Sequence, residues 1–255
     1  MALPRADLES LLRARRLDRT LTTALPAVDP RDESAVAPSA LAMLDARLGG
    51  GLPRGQLSEI VGARSSGRTS LLLQILAAAT RRGELVAVVD ALDALDVESA
   101  AAAGMDLSRV LWVRGHVVIN PGLCGDLNQR ALEQAIRAFT LVLQAGNFGL
   151  VVLDVAEAPV HALRRLPFTT WLRLQRMVEG SQTACLLIGS QPMARSSAGL
   201  TLQLSRTGIR DWGLGIRFSD LLFDGVDVDA RVVRARARDR EEASVVFSTL
   251  ASDCV

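Results

Sequence analysis

Leu57-Ser58-Glu59-Ile60-Val61-Gly62-Ala63-Arg64-Ser65-Ser66-Gly67-Arg68-Thr69-Ser70 is the stretch whose reading decides the fold. It opens as a short, largely apolar strand, turns through two glycines, and runs into the apolar helical segment Leu71-Leu72-Leu73-Gln74-Ile75-Leu76. A strand, a glycine turn and a helix start make backbone N–H groups converge, which is the geometry that cradles a phosphate. Gly62-x-x-x-x-Gly67-Arg68-Thr69 fits the phosphate-loop pattern at every position but one, where arginine replaces lysine. Gly62, Ser65, Ser66, Gly67, Arg68, Thr69 and Ser70 are therefore the candidate nucleotide-binding residues. Arginine is not a neutral exchange. A lysine ammonium is a compact point charge, whereas a guanidinium is a wide planar fork that grips oxygen pairs. Such a loop is expected to hold a nucleotide while misplacing the charge on which phosphoryl transfer depends.

Working outward, the chain alternates apolar strands and helices. Strands are expected over 85–90, 111–114, 149–154 and 184–190, and helices over 69–82, 131–144 and 169–178. After residue 200 the texture changes to shorter alternating segments, including 226–240 and 243–249, which suit hairpins. The fold class expected is α/β: a mainly parallel sheet flanked by helices, with an antiparallel hairpin extension at the C-terminal side. Ahead of it, residues 5–21 read as an amphipathic helix with Leu8, Leu11 and Leu12 on one face and Arg15 and Arg16 among the arginines opposite. The domain boundaries expected are an interaction segment at 1–21, a proline-bearing linker at 22–38, and the core domain at 39–255.

The 255 residues are 49% hydrophobic and 22% charged, enough to bury a sizeable core, which excludes wholesale disorder. The 29 basic and 28 acidic residues nearly cancel, so any basic surface must be local. Every basic residue is arginine; the absence of lysine excludes Schiff-base chemistry. Cys124, Cys185 and Cys254 are far apart and lack metal-ligand spacing, so a reduced, cytoplasmic protein is expected. No signal-peptide core and no membrane span are apparent.

The block from Leu44 to Ser70, the run Asp90-Ala91-Leu92-Asp93-Ala94-Leu95-Asp96, Val151-Val152-Leu153-Asp154 and the strand end Ser190-Gln191 together resemble the core of the RecA recombinases. The similarity runs in order over most of the chain. Within that superfamily the chain looks most like the ImuA-type proteins, sometimes labelled SulA-like, which are accessory factors of translesion synthesis. The resemblance implies a RecA-like P-loop core. It places Thr69 and Asp154 at the magnesium shell, and Gln191 at the residue that senses the γ-phosphate. It places Leu92 where recombinases carry the water-activating glutamate, with Asp93 one residue too late. A leucine cannot orient or deprotonate water, so lost or very weak hydrolysis is the expectation, and no catalytic residue is assigned.

Alternating arginines from Arg234 onward share one strand face, either as a solvated edge or, by the resemblance, with Arg234 and Arg236 reaching a neighbouring subunit's nucleotide. The two DNA loops of RecA proteins correspond to 160–168 and 192–200, where Arg164, Arg165 and Arg195 are the candidate phosphate contacts and Phe168 the nearest base-stacking ring. As ordinary surface arginines they would need no such role. The function expected from the resemblance is an accessory role in DNA-damage tolerance and the SOS response. It would act through a RecA recombinase and translesion polymerase subunits, with self-association and single-stranded DNA as further partners. No cofactor is required, though ATP or ADP with magnesium fits the loop, and a cytoplasmic, nucleoid-associated location without membrane contact follows. Two alternatives stay open: a DNA-dependent ATPase of the recombinase type, and a non-hydrolysing single-stranded DNA-binding module.

Overall fold

The computed structural model describes residues 35–115, 125–209, 225–235 and 244–250. In chain order the first half comprises β1 (Val36–Ala37), α1 (Ala42–Leu48), β2 (Leu52–Pro53), β3 (Leu57–Gly62), α2 (Arg68–Arg81), β4 (Val86–Asp90), α3 (Val97–Ala102) and β5 (Val110–Arg114). The second half comprises α4 (Gly125–Ala145), β6 (Leu150–Asp154), α5 (Val160–Arg165), α6 (Phe168–Val178), β7 (Ala184–Gly189), β8 (Leu200–Ile209), β9 (Gly225–Ala235) and β10 (Ser244–Leu250).

The main sheet has the order β10-β9-β8-β3-β7-β6-β4-β5. Neighbours from β8 to β5 run parallel, while β8–β9 and β9–β10 are antiparallel. This is the α/β architecture expected, hairpin extension included. Alternate side chains of each strand serve opposite faces. On one face Ile60, Val88, Val152 and Ile188 pack with Leu72, Ile75 and Leu76 of α2. On the other, Leu57, Val89, Leu153 and Leu187 pack with Phe139 of α4 and with Trp171 and Leu174 of α6. Cys185 is buried in this second layer, and burial pushes its thiol up, so it is not a reactive group.

Because β3 is followed in the sheet by β7 and β6 rather than by β4, the chain crosses over between β3 and β4. The carboxyl ends of β3, β7 and β6 therefore open onto one crevice, the place where ligands sit in open α/β sheets. The end of the stretch expected to be linker is part of this unit. β1 pairs with β2, Arg54 Nε donates to the Val36 carbonyl at 3.2 Å, and Arg82 Nη1 donates to the Pro38 carbonyl at 2.8 Å. Arg54 also meets Glu84 at 2.6 Å with both side chains nearly buried. Paired proline-flanked backbone looks like linker to composition alone, and only these long-range partners reveal its place. Residues 1–21, with Leu8, Leu11, Leu12, Arg15 and Arg16, lie outside the described residues.

Phe139 is fully buried between α4 and the sheet. Phe139→Ala is expected to lower unfolding stability by about 3–5 kcal/mol, read from the midpoint of urea denaturation at unchanged slope. A loss under 1 kcal/mol would show that α4 is not packed as described.

Candidate functional site

β3 delivers the chain into the glycine turn, and the turn is compact. A Cβ on Gly62 would overlap Ser66 Oγ and the Leu204 carbonyl, and one on Gly67 would overlap Val228 of β9. Ser65 and Gly67 take left-handed backbone conformations, φ +58° and +88°, which curl successive N–H groups toward one point. The Ser66 N–H closes the turn on the Ala63 carbonyl at 3.3 Å, and the Leu71 N–H reaches the Gly67 carbonyl at 3.0 Å as α2 begins. Helix α2 starts at Arg68, one residue earlier than expected.

Beside the loop lies an open volume of about 710 Å³, lined among others by Ser65, Ser66, Ser190, Gln191 and Arg206. The hydroxyls of Ser66 and Ser190 are buried without a hydrogen-bond partner. Buried polar atoms are normally satisfied, so these two hydroxyls, on residues that line the volume, are left unspent. Thr69 is exposed and Ser70 half-buried in the first turn of α2. The converging amides, the 14-residue helix and the unspent hydroxyls fit a phosphate group.

The cations of the loop point elsewhere. Arg68 is only 6% exposed, and its guanidinium contacts the Ala156 carbonyl and Glu157 Oε1, each at 3.5 Å. Arg64 meets the other oxygen, Glu157 Oε2, at 3.0 Å. Nearby, Asp154 ends β6 in register with Asp90 at the end of β4. Its Oδ1 accepts from the Ala156 N–H at 2.9 Å. Burial, with the neighbouring Asp90 charge in support, pushes the Asp154 carboxyl up to about 6. By the resemblance Thr69 and Asp154 are the candidates to hold a magnesium ion with a nucleotide; the described residues contain no group of three or more His, Cys, Asp or Glu arranged to hold a metal.

Leu92, which the resemblance sets at the position of the water-activating acid, is half-buried against the second core layer. Asp93, one residue on, is held by Arg114 through two contacts of 2.7 and 2.6 Å, which keep its carboxyl below the usual range. Arg114 itself stacks 4.5 Å from the Trp112 ring. Asp90 is buried and accepts from the N–H groups of Ala94 and Leu95 and from Trp112 Nε1.

A second cavity, about 520 Å³, brings Arg164, Arg195, Phe168 and Gln191 together, while Arg165 is exposed and does not line it. Gln191 and Pro192 line both cavities, so they form the wall between them. The loop after β7 is fixed from below by Glu59, whose Oε1 accepts the N–H groups of Met193 and Ala194 at 2.8 and 2.7 Å and whose Oε2 accepts the Thr201 hydroxyl at 3.1 Å. Arg234, expected to reach a neighbouring subunit, here donates to the Arg195 carbonyl of its own chain. Arg236 lies outside the described residues. Sequence reasoning missed Glu59, Arg64 and Glu157. The loop pattern does flag the charged Arg64 by position, but nothing in the sequence pairs Glu157 with a residue so far upstream.

Comparison with known proteins accords with this geometry. Residues 25–162, more than half of the chain, match the RecA N-terminal domain family. The chain belongs to the RecA family. It is 40% identical over 133 residues to Protein RecA of Clavibacter michiganensis, covering 52% of this chain and 33% of that one. Against Protein RecA of Salinispora tropica the identity is 39% over 132 residues, covering 51% and 34%. The match to Protein RecA of Desulfovibrio desulfuricans is longer, 30% over 223 residues, covering 82% of this chain and 56% of the relative. This RecA-family chain thus spans between a third and somewhat over half the length of these relatives. Among the described residues no helix is long and apolar enough to cross a membrane.

Gly67→Ala would combine a strained left-handed backbone with an overlap onto Val228. It is expected to cost about 1–3 kcal/mol of stability and to abolish nucleotide binding, measured by denaturation and by titration; an unaltered affinity would show that the loop does not cradle phosphate. Asp154 carries its own signature. Its folded carboxyl titrates near 6 against an ordinary 3.8, so the folded chain binds more protons between those values and loses stability as pH rises through them. Asp154→Asn, in the presence of a chelator, is expected to be more stable than the parent by about 1–2 kcal/mol at pH 7.5 and little changed at pH 4, since residual solvent contact trims the effect. Identical pH profiles for the two proteins would contradict this.

Proposed function

We propose that this chain is an accessory protein of DNA-damage tolerance built on the RecA core. In this role it binds a recombinase or translesion-polymerase subunits, and it holds a nucleotide with turnover far below that of a recombinase. ImuA-type proteins are the group it resembles in this respect. The observation that carries the proposal is the state of the acids at the end of β4. Leu92 is packed, Asp93 is tied to Arg114, and Asp90 is buried under three donors, which supports the reading that none of them serves as a water-activating base. Arg68 adds to it, since a planar guanidinium in place of a lysine ammonium sets its charge differently on a bound phosphate. Loss of a general base and misplacement of one charge on the transferring group each reduce rate by about 10²-fold or more. ATP or ADP with magnesium would then serve to order the loop, with Thr69 and Asp154 as its metal-side residues.

A second reading is favoured by the cavity that gathers Arg164, Arg195, Phe168 and Gln191: binding of single-stranded DNA, in which cations track phosphates and a ring stacks on a base. The long match to a RecA protein is equally compatible with a recombinase-type ATPase.

Phosphate release with and without single-stranded DNA separates these readings. Turnover at least 100-fold below a RecA control, unstimulated by DNA, is expected; brisk DNA-stimulated turnover abolished by Asp154→Ala would overturn the proposal in favour of the ATPase. Pull-down of recombinase and polymerase subunits by the full chain, repeated without residues 1–21, is expected to show capture that is lost on truncation. Absence of capture by either form would remove the accessory role. DNA affinity that falls steeply with salt, and flattens on Arg164→Ala with Arg195→Ala, would support the second reading.

A further inference from the structure

We propose that the Glu157 carboxylate is a built-in competitor for phosphate: it engages Arg64 and Arg68 of the glycine loop, and a nucleoside polyphosphate binds by exchanging for it. The proposal rests on the reading of the loop as a nucleotide site and adds the residue that sets its affinity.

Each oxygen of Glu157 serves a different arginine, Oε2 at 3.0 Å from Arg64 and Oε1 at 3.5 Å from Arg68. Both arginines belong to the loop, one in the turn and one at the start of α2, whereas Glu157 comes from the turn after β6. The carboxylate thus bridges the loop after β3 to the end of β6, two strands away with β7 between them. The two grips are unequal. Arg64 is largely exposed, and its ion pair is screened by water. Arg68 is nearly buried, and a buried guanidinium requires a counter-charge and partners for its five N–H donors. Among the described residues it has two polar contacts, both at 3.5 Å, with the Asp154 carboxyl also near enough for its charge to be felt. Charge-assisted bonds of good geometry lie at about 2.7–2.9 Å, so the hold of Glu157 on Arg68 is loose. A phosphate seated on the converging amides would present several oxygens to the same fork, and Arg68 would gain close bidentate contacts by leaving Glu157. One anion replaces another, so the net affinity is the difference between two ion pairings rather than the whole of one. Glu157 is 37% exposed, so its carboxylate can turn out to water when released.

The exchange has a charge signature. Ligands carrying a diphosphate or triphosphate should gain affinity when Glu157 is neutralised, and adenosine, which carries no phosphate, should gain none. A merely structural role for Glu157 would instead change all ligands alike or destabilise the fold.

The test is equilibrium titration of the full chain with a fluorescent ADP analogue, with pyrophosphate and with adenosine, comparing the parent with Glu157→Gln, Glu157→Ala and a remote control, Glu179→Gln, at the far end of α6. Both Glu157 variants are expected to bind ADP and pyrophosphate about tenfold more tightly, with adenosine binding unchanged and Glu179→Gln indistinguishable from the parent. Parent-like or weaker ADP binding in both Glu157 variants would overturn the proposal while leaving the nucleotide site standing. Equal gains for adenosine, or an equal gain in Glu179→Gln, would overturn it by showing a non-specific effect. If none of the four proteins binds ADP or pyrophosphate at millimolar concentration, the nucleotide reading itself fails and the proposal with it.

Discussion

Glu59 is a carboxylate almost wholly removed from water, on the central strand β3, three residues before the glycine turn. Such a group is tolerable only when hydrogen bonds replace its solvation. Here they come from the Met193 and Ala194 N–H groups and from the Thr201 hydroxyl. The same demand that keeps the charge satisfied therefore fixes where the chain goes after β7 and where β8 enters the sheet. That is why Ser190, Gln191 and Pro192 come to rest against the glycine loop and close one side of the cradle. Removing one partner of a buried charge leaves the other stranded, so this junction is far less tolerant of change than its loop character suggests.

The hairpin extension leans on the same place. Val228 of β9 lies where a side chain on Gly67 would have to go, and Arg234 of β9 donates to the Arg195 carbonyl. The phosphate loop, the loop after β7 and the hairpin are thus in mutual contact. Gln191 and Pro192 stand between the two cavities, so a ligand that shifts them on one side alters the wall of the other. Coupling of this kind needs no long pathway, because the two sites share side chains.

The fold was legible because its signals are local. Buried parallel strands are short apolar runs, and β3, β4, β6 and β7 fall within a residue or so of where hydrophobic content and flanking turns put them. Helix α4 is longer than its apolar pattern predicts, beginning at Gly125 rather than 131, since its first turns are polar and carry little periodic signal. The glycines of the loop were equally legible, because a glycine turn between a strand and a helix is a statement about residue type at a spacing. The destinations of the charges were not. Asp93 meets Arg114 across adjacent strand ends, and Arg68 meets Glu157 from the end of β3 to the end of β6, past the intervening β7. Ion pairs between residues remote in sequence leave no periodicity to read.

That distinction decides what the arginine in the loop means. A lysine would bring a single compact ammonium in place of the planar fork. The guanidinium of Arg68 is longer and planar, and it extends past the loop to Ala156 and Glu157 at the end of β6. Its position is set by the strand end as much as by the loop. Restoring the lysine alone would return a point charge to the cradle, but it would leave Glu157 in place with Arg64, Leu92 packed in the core layer and Asp93 paired with Arg114. These are separate contacts distributed over the ends of β4, β5 and β6, each held by its own partner, and so no single substitution rearranges them all.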